Sequence, residues 1–323
     1  MTDKMVMGDR AQRCIGVIGI GPVGGILAAH LAAAGEDVVV VDILEGHLEE
    51  IRENFLRISG VVDIEARIPK ACLSISELRD YDLDYLFVAV KAPVLPRILG
   101  EVRKVVGDDT KVISYQNGLD TELLVAEHID PDNVFRGVIN YAGMCKGRGH
   151  IMMTFFNGPN YVGPVNGGSW EAAQEIAEIM TAASLDCEPT NSIRSYVWKK
   201  VILNCALSSL CAVTGRTMKE VMETPETYEL VENLLKEAID VAEADGCDFG
   251  PDFLDHCIEY LKKAGDHKPS MLIDVECKRP TEIDFLNGKV LEYGERYGIP
   301  TPYNHFVTNL VRSHECTYMG PSR

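Results

Sequence analysis

Residues 14–42, CIGVIGIGPVGGILAAHLAAAGEDVVVVD, decide the fold. An apolar run, Cys14 to Ile18, leads into Gly19-Ile20-Gly21-Pro22-Val23-Gly24, and an Ala-rich helical stretch follows from about Val23 to Ala34. A second apolar run then ends in Asp42. Strand, glycine turn, helix and strand in that order make a dinucleotide-binding βαβ unit, which a bare GxGxxG would not. The first glycine permits the tight turn, the second lets backbone approach a pyrophosphate, and the third lets helix and strand pack closely. Amide groups at the helix start meet the phosphate charge. Asp42 stands 18 residues beyond Gly24, where a carboxylate accepts hydrogen bonds from the adenosine ribose hydroxyls. A 2′-phosphate there meets like charge, so NAD(H) is the preferred cofactor, with NADP(H) not excluded.

Outward from this unit, short β-branched runs continue to alternate with helical stretches. Glu49 to Arg57 has a helical pattern, and Ile64 to Ile68 and Cys72 to Ile75 suggest an irregular or antiparallel excursion. Leu83 to Val90 is nearly continuous apolar sequence, as expected of a parallel strand buried on both faces. Lys91 follows at its carboxyl end, the ligand side of an open α/β sheet. Val112 to Tyr115 is the next strand, with Gln116-Asn117-Gly118 turning at its end and a short helix from Thr121 to Glu127. Three more strands are expected at Val134 to Tyr141, Gly149 to Phe156 and Tyr161 to Val165.

From about Ser169 the period becomes helical. Helices are expected over Trp170 to Ala183, Ser192 to Ala212, Glu226 to Ala244, Pro251 to Lys263 and Pro302 to Arg312. Another opens at Thr281, with Thr281 and Asp284 at N-cap and N3 spacing. The reading is therefore α/β: a Rossmann-type doubly wound sheet, residues 13–168, followed by an all-helical domain, residues 169–316.

The 323 residues suffice for two cores, and the 46% apolar content is that of a globular protein. A formal charge of −18 disfavours nucleic acid and anionic membrane as partners. It leaves room for a small anionic substrate, because one Lys or Arg dominates a pocket locally. Met1 to Arg13 has no apolar core of a secretory signal and reads as a short disordered lead. The ten cysteines form no CxxC, which fits a reduced, cytoplasmic protein with mostly buried thiols. No His or Cys spacing builds a metal site.

Lys200 and Asn204 are four residues apart and share a helix face. Trp198, Val201, Ile202 and Leu203 surround them, so the ammonium must find water, an acid or a ligand. Lys200 therefore reads as functional, as a salt-bridge partner, or as a snorkelling stem; Lys199 points elsewhere, toward solvent. Ser270, after Pro269, is a ready helix cap. Glu282 suits the first turn of a helix through the dipole, and Asn117-Gly118 is a common turn pair.

Taken as a set, these pieces resemble the ketopantoate reductase (2-dehydropantoate 2-reductase) family. The elements that carry the resemblance are GIGPVG at 19–24, VAVKA at 88–92, YQNGL at 115–119, WKKVILN at 198–204 and PSMLIDVECKRPTEIDFLNG at 269–288. The last two discriminate most, and the resemblance spans Cys14 to Arg312. It implies reduction of the ketone of 2-dehydropantoate to the hydroxyl of pantoate, a step of pantothenate biosynthesis, usually with NADPH. It also implies roles. Lys200 is the proton donor to the carbonyl oxygen, and Glu282 orients substrate and cofactor. Asn204 and Ser270 bind substrate. Lys91 and Asn117 lie on the cofactor side, with Asn117 near nicotinamide and substrate.

Two positions depart from the family pattern. Asp42 stands where NADPH-using members carry a basic or neutral side chain. His267 stands three residues before Ser270, where better-known members carry a substrate-binding asparagine. As a substrate contact, His267 replaces one hydrogen bond with a different shape and charge; otherwise it supports the loop. The departures leave open another small branched or polar 2-oxoacid or 2-hydroxyacid as substrate. A non-catalytic NAD-binding regulatory protein is the reading from a different functional class. A homodimer through the helical domain is compatible with its apolar carboxyl-terminal helices.

Overall fold

The computed structural model describes residues 13–320. The rest of the expected disordered lead lies outside them. The chain divides into two compact units. One comprises the chain up to Val90, Arg97–Tyr115 and Val125–Asn191. The other comprises Lys91–Pro96, Gln116–Leu124 and everything from Ser192.

In the first unit, β1 (Cys14–Ile18), α1 (Pro22–Ala33) and β2 (Asp37–Val41) form the expected βαβ core. After them come α2 (Glu45–Glu53), β3 (Leu56–Gly60), β4 (Ile64–Ala66), β5 (Lys70–Cys72) and β6 (Tyr85–Val88). Then follow α3 (Leu95–Val102), β7 (Lys111–Ser114), α4 (Thr121–Ala126), β8 (Val134–Val138) and β9 (Tyr141–Gly147). The series ends with β10 (His150–Phe156), β11 (Asn160–Pro164), α5 (Trp170–Ala182) and β12 (Cys187–Pro189).

Eight strands make one sheet in the order β12-β11-β8-β7-β6-β1-β2-β5. All neighbours are parallel except β11 on β8. Chain order reverses on either side of β1, so the glycine turn sits at a topological switch point, where such sheets bind ligands. The remaining four form a second sheet, β4-β3-β10-β9, which packs on α1. Helix α1 is covered on that side too, which is why Ile26, Leu27, Ala28, Ala29 and Leu31 are all buried and its pattern is apolar all round.

Several expectations change. The helix expected over Glu49 to Arg57 is displaced to Glu45–Glu53, because residues from Leu56 pair in the second sheet. The excursion after it is antiparallel only at β4; β5 adds a parallel edge to β2. The expected single strand Val134 to Tyr141 ends at Val138, and Tyr141 begins β9 in the other sheet. The last change of unit falls at Ser192, not at residue 169. Helix α5 packs on β11 and β12, and β12 is an edge strand of the large sheet, so both belong with the nucleotide core. The switch to helical periodicity marks α5 and says nothing about which core it covers.

The second unit contains α6 (Ile193–Thr214), α7 (Met218–Glu223), α8 (Pro225–Ala244), α9 (Phe253–Leu261), α10 (Ser270–Glu276), α11 (Asn287–Tyr297) and α12 (Pro302–Met319). Central α6 packs against α8, α10 and α12. It is long and apolar enough to cross a membrane, but 67% of that span is buried within the protein, as in a core helix. Thr281 and Asp284 do not cap a helix as expected. The Thr281 N–H donates to Glu315 Oε1 at 2.6 Å and Asp284 pairs with Arg312 at 2.8 Å. A 3-10 turn, Ile283–Phe285, intervenes before α11. Ser270 is the first residue of α10 and makes no side-chain cap.

Candidate functional site

The nucleotide half is built at the glycine turn. Gly19 has φ +91°, and a side chain there would run into the backbone of Val90. A Cβ on Gly24 would lie 2.0 Å from the carbonyl oxygen of Gly19, and one on Gly25 would lie 2.2 Å from Ile151. These glycines answer to packing. Gly21 does not: its φ is −75°, and nothing within 4 Å of a Cβ there would exclude one. Its bareness has no cause inside the protein and leaves a cradle over the start of α1. That start lacks any side-chain cap, as a phosphate-binding helix requires. The residues present therefore fit a dinucleotide.

Ile20 is gripped on both sides of its backbone. Asp42 Oδ2 accepts its N–H at 2.7 Å, and His47 Nε2 lies 3.0 Å from its carbonyl oxygen. His47 Nδ1 accepts the N–H of Gly149 at 2.9 Å, so the ring proton sits on Nε2 and is donated to Ile20. Asp42 Oδ1 accepts the N–H of Leu44 at 3.0 Å. A carboxylate has about four acceptor sites, so two remain for ribose hydroxyls. Asp42, Gly21, His47, the end of β9 and Arg148 just after it line a cleft of about 620 Å³. Ile43, 86% exposed, stands on its edge and offers an apolar face to an adenine.

The remaining candidates belong to the helical unit. Lys91 pairs with Asp274, a residue buried on α10 that Arg279 also grips, at 2.9 Å. Partial burial pulls the Lys91 ammonium down, but the Glu282 and Asp274 carboxylates outweigh it and hold it above the ordinary lysine value. Lys91 therefore stays charged. The turn after it, Ala92–Val94, packs on Ile283–Phe285, directly beyond buried Glu282.

Asn117 sits on a turn fastened to the same place. Leu119 N–H donates to the Phe285 carbonyl at 2.9 Å, and Gly118, at φ +113°, leaves no room for a Cβ against Phe285. Asp120, at φ +63°, receives Arg194 at 2.6 Å, Lys289 at 3.0 Å and the Tyr293 hydroxyl at 3.0 Å. Burial pushes its carboxyl up, yet the Arg194 and Lys289 cations hold it below the usual aspartate value. On this locked turn Asn117 Oδ1 is buried without a hydrogen-bond partner among the described residues. A buried amide oxygen left unpaired is costly, so it points to a ligand donor.

Lys200 and Asn204 are half-buried on α6, and Ser270 is exposed at the start of α10, which packs along α6. The amide of Asn287 donates to the Cys205 carbonyl at 3.1 Å, tying the start of α11 beside Asn204. Lys199 turns away, as expected, although toward aromatic rings: its ammonium lies 5.1 Å from the Tyr196 ring and 6.0 Å from that of Phe249. His267 is exposed, and its carbonyl accepts the Met218 N–H at 3.1 Å. Among the described residues no three His, Cys, Asp or Glu gather as a metal site.

Asp274, Asp120, Arg194 and His47 escaped the sequence reading. Asp274 was legible in principle, four residues after Ser270 on a short helix. The other three act through partners far away in the chain, with no local pattern to betray them.

Residues 15–167 match the family model for ketopantoate reductase PanE/ApbA, and residues 192–315 match the model for its C-terminal part. A 2-dehydropantoate 2-reductase of Archaeoglobus fulgidus is 30% identical over 306 residues, covering 95% of this chain and 99% of that protein. One from Streptococcus pyogenes is 28% identical over 301 residues, covering 93% and 97%. The structure of D-mandelate dehydrogenase with NADH is similar at a TM-score of 0.83 and 25% identity, covering 94% of this chain and 99% of that one.

Proposed function

The chain belongs to the ketopantoate reductase family of NAD(P)-dependent oxidoreductases, and from that membership we propose that it reduces 2-dehydropantoate to pantoate, preferring NADH to NADPH. The observation that carries the site assignment is the partnerless Asn117 Oδ1, buried on a turn locked to the residues just after Glu282. When bound, the nicotinamide supplies the hydride, and the protein supplies orientation and electrostatics. Lys200 donates a proton to the ketone oxygen as negative charge develops there, and its own charge stabilises the forming alkoxide. Asn204, Ser270 and His267 hold the oxoacid. Lys91, kept charged by Asp274 and Glu282, serves the cofactor side. Asp42 receives the adenosine ribose. The free thiols suit the reducing cytoplasm, and the helical unit offers a surface for a homodimer.

A second reading, turnover of another branched or polar 2-oxoacid, is favoured by the exposed His267 and by the likeness to D-mandelate dehydrogenase. Steady-state kinetics on a panel of 2-oxoacids, run separately with NADH and NADPH, separate the two. The highest kcat/KM is expected for 2-dehydropantoate with NADH, and His267→Asn should shift the ranking further toward that substrate. Turnover of a different acid alone would remove the named substrate and keep the chemistry. A clear preference for NADPH would remove the role given to Asp42.

A further inference from the structure

Asn287 opens α11 where that helix packs against α8 and α12, and it is fully buried. Its Nδ2 faces two oxygens, the Cys205 carbonyl of α6 at 3.1 Å and Asn304 Oδ1 of α12 at 2.9 Å. A carboxamide set between two acceptors gives both N–H groups to them, so its orientation is fixed. The cost falls on Oδ1, which is buried without a partner among the described residues. Asn304 is held in turn. Its Nδ2 donates to Glu237 Oε2 at 2.8 Å, and that buried carboxylate of α8 also accepts the backbone N–H groups of Tyr303 and Asn304. One chain of hydrogen bonds therefore runs from α8 through α12 and α11 to a single carbonyl of α6.

That carbonyl also accepts the Ser209 hydroxyl, at 2.6 Å. Side-chain donors draw a helical carbonyl off the axis and fix the local bend. Cys205 follows Asn204 directly, so the bond governs the stretch of α6 that carries Lys200 and Asn204. Glu282 is tied to the other end: its carbonyl accepts the N–H of Leu286, the residue before Asn287, at 3.1 Å. We propose that Asn287 is a positioning residue, which sets the rotation of α6 and so the placement of Lys200 and Asn204 against Glu282. This rests on reading those three as the reductive site. Native cores leave few polar atoms unpaired, and such exceptions gather where geometry serves function.

Asn287→Ala and Asn304→Ala form a matched pair, because each breaks the chain of bonds and only the first releases Cys205. Urea denaturation should show comparable losses of stability. With the 2-oxoacid that the wild type reduces fastest, Asn287→Ala should lower kcat about tenfold, the order of one hydrogen bond felt in the transition state. Its KM for NADH should stay within about twofold, and Asn304→Ala should keep kcat within about twofold. Ser209→Ala loosens the same carbonyl and should lower kcat by less. Equal kcat losses in the matched pair, or wild-type kcat in Asn287→Ala, would overturn the proposal. If Asn287→Ala does not fold, unchanged kcat in Ser209→Ala overturns it instead. Hydrogen exchange reads the clamp without substrate: amides of residues 204–209 should lose more protection in Asn287→Ala than in Asn304→Ala, and equal losses would count against it. A wild type that reduced no oxoacid would end the reductase reading alone.

Discussion

Lys199 and Lys200 are neighbours in sequence and about 100° apart around α6, and that rotation separates their fates. Lys199 rests against Tyr196 and Phe249. Lys200 lies on the turn that also carries Asn204, along the helix that α10 covers. Lys200→Ala should therefore lose about 10²- to 10⁴-fold in kcat, the usual contribution of a positioned general acid, while the variant still binds NADH. Lys199→Ala should cost about 0.5–1 kcal/mol of stability through its ring contacts and little turnover. Parallel kcat measurements and NADH fluorescence titrations on the two variants check this; near wild-type turnover by Lys200→Ala would require another proton donor. The pair was legible in the sequence because helical spacing and apolar neighbours single it out. The grip of Asp42 on Ile20 was not, because a carboxylate at the end of β2 gives no hint of which donors reach it.

Turns, more than helices, carry the site. Gln116–Leu124 belongs with the helical unit although β7, just before it, is a strand of the nucleotide sheet. Its anchor is Asp120, held by Arg194, Lys289 and Tyr293. Asp120→Asn keeps the shape and removes the charge, leaving half-buried Arg194 with Asp245 at 2.8 Å and Glu122 at 3.8 Å as its acidic partners. Breaking a fully buried ion pair typically costs about 3–5 kcal/mol; because Arg194 keeps Asp245, urea denaturation should show a loss below that range. Because Asn117 rides on this turn, KM for the oxoacid should rise as well. Tyr293→Phe removes one hydroxyl donor, for a cost of about 1 kcal/mol, and should move KM in the same direction by less. Unchanged KM in both variants would mean that Asn117 is positioned without Asp120. Sequence periodicity located α4 and α6 beside this turn and began the helix of Lys289 and Tyr293 too early, at Thr281, but Asn-Gly reads as a generic turn wherever it occurs.

At the scale of the molecule, two cores fold from interleaved stretches of chain, and each has its own sensitivity. In the nucleotide unit His30 ties α1 to the end of α5: its Nδ1 lies 2.7 Å from the Ala183 carbonyl, while Nε2 is buried without a partner among the described residues. Nδ1 therefore carries the proton, and a second one on Nε2 would be an unpaired charge in the core. Burial accordingly lowers the His30 value below the ordinary 6.5. The unfolded chain then takes up a proton that the folded one refuses. This contribution to stability is full above about pH 6.5 and is lost as pH falls toward the lowered folded value. Melting curves between pH 7.5 and 5.5 should show the loss, and His30→Gln should flatten that part of the profile. An identical pH slope in wild type and variant would assign the acid sensitivity elsewhere.

The sequence by itself determined the βαβ nucleotide core, the helical second half and the family, because glycine spacing, strand and helix periods, and contiguous motifs are all local signals. Tertiary structure alone decided that α5 and β12 belong to the first core, and that a 3-10 turn stands where a capped helix was expected at Thr281. It also decided that Asp274, Asp120 and His47 hold the candidate groups in place. Those choices depend on which distant donors and acceptors remain unsatisfied once the cores have packed. Hydrogen bonds and ion pairs between residues up to 183 positions apart leave no periodicity in the chain that makes them.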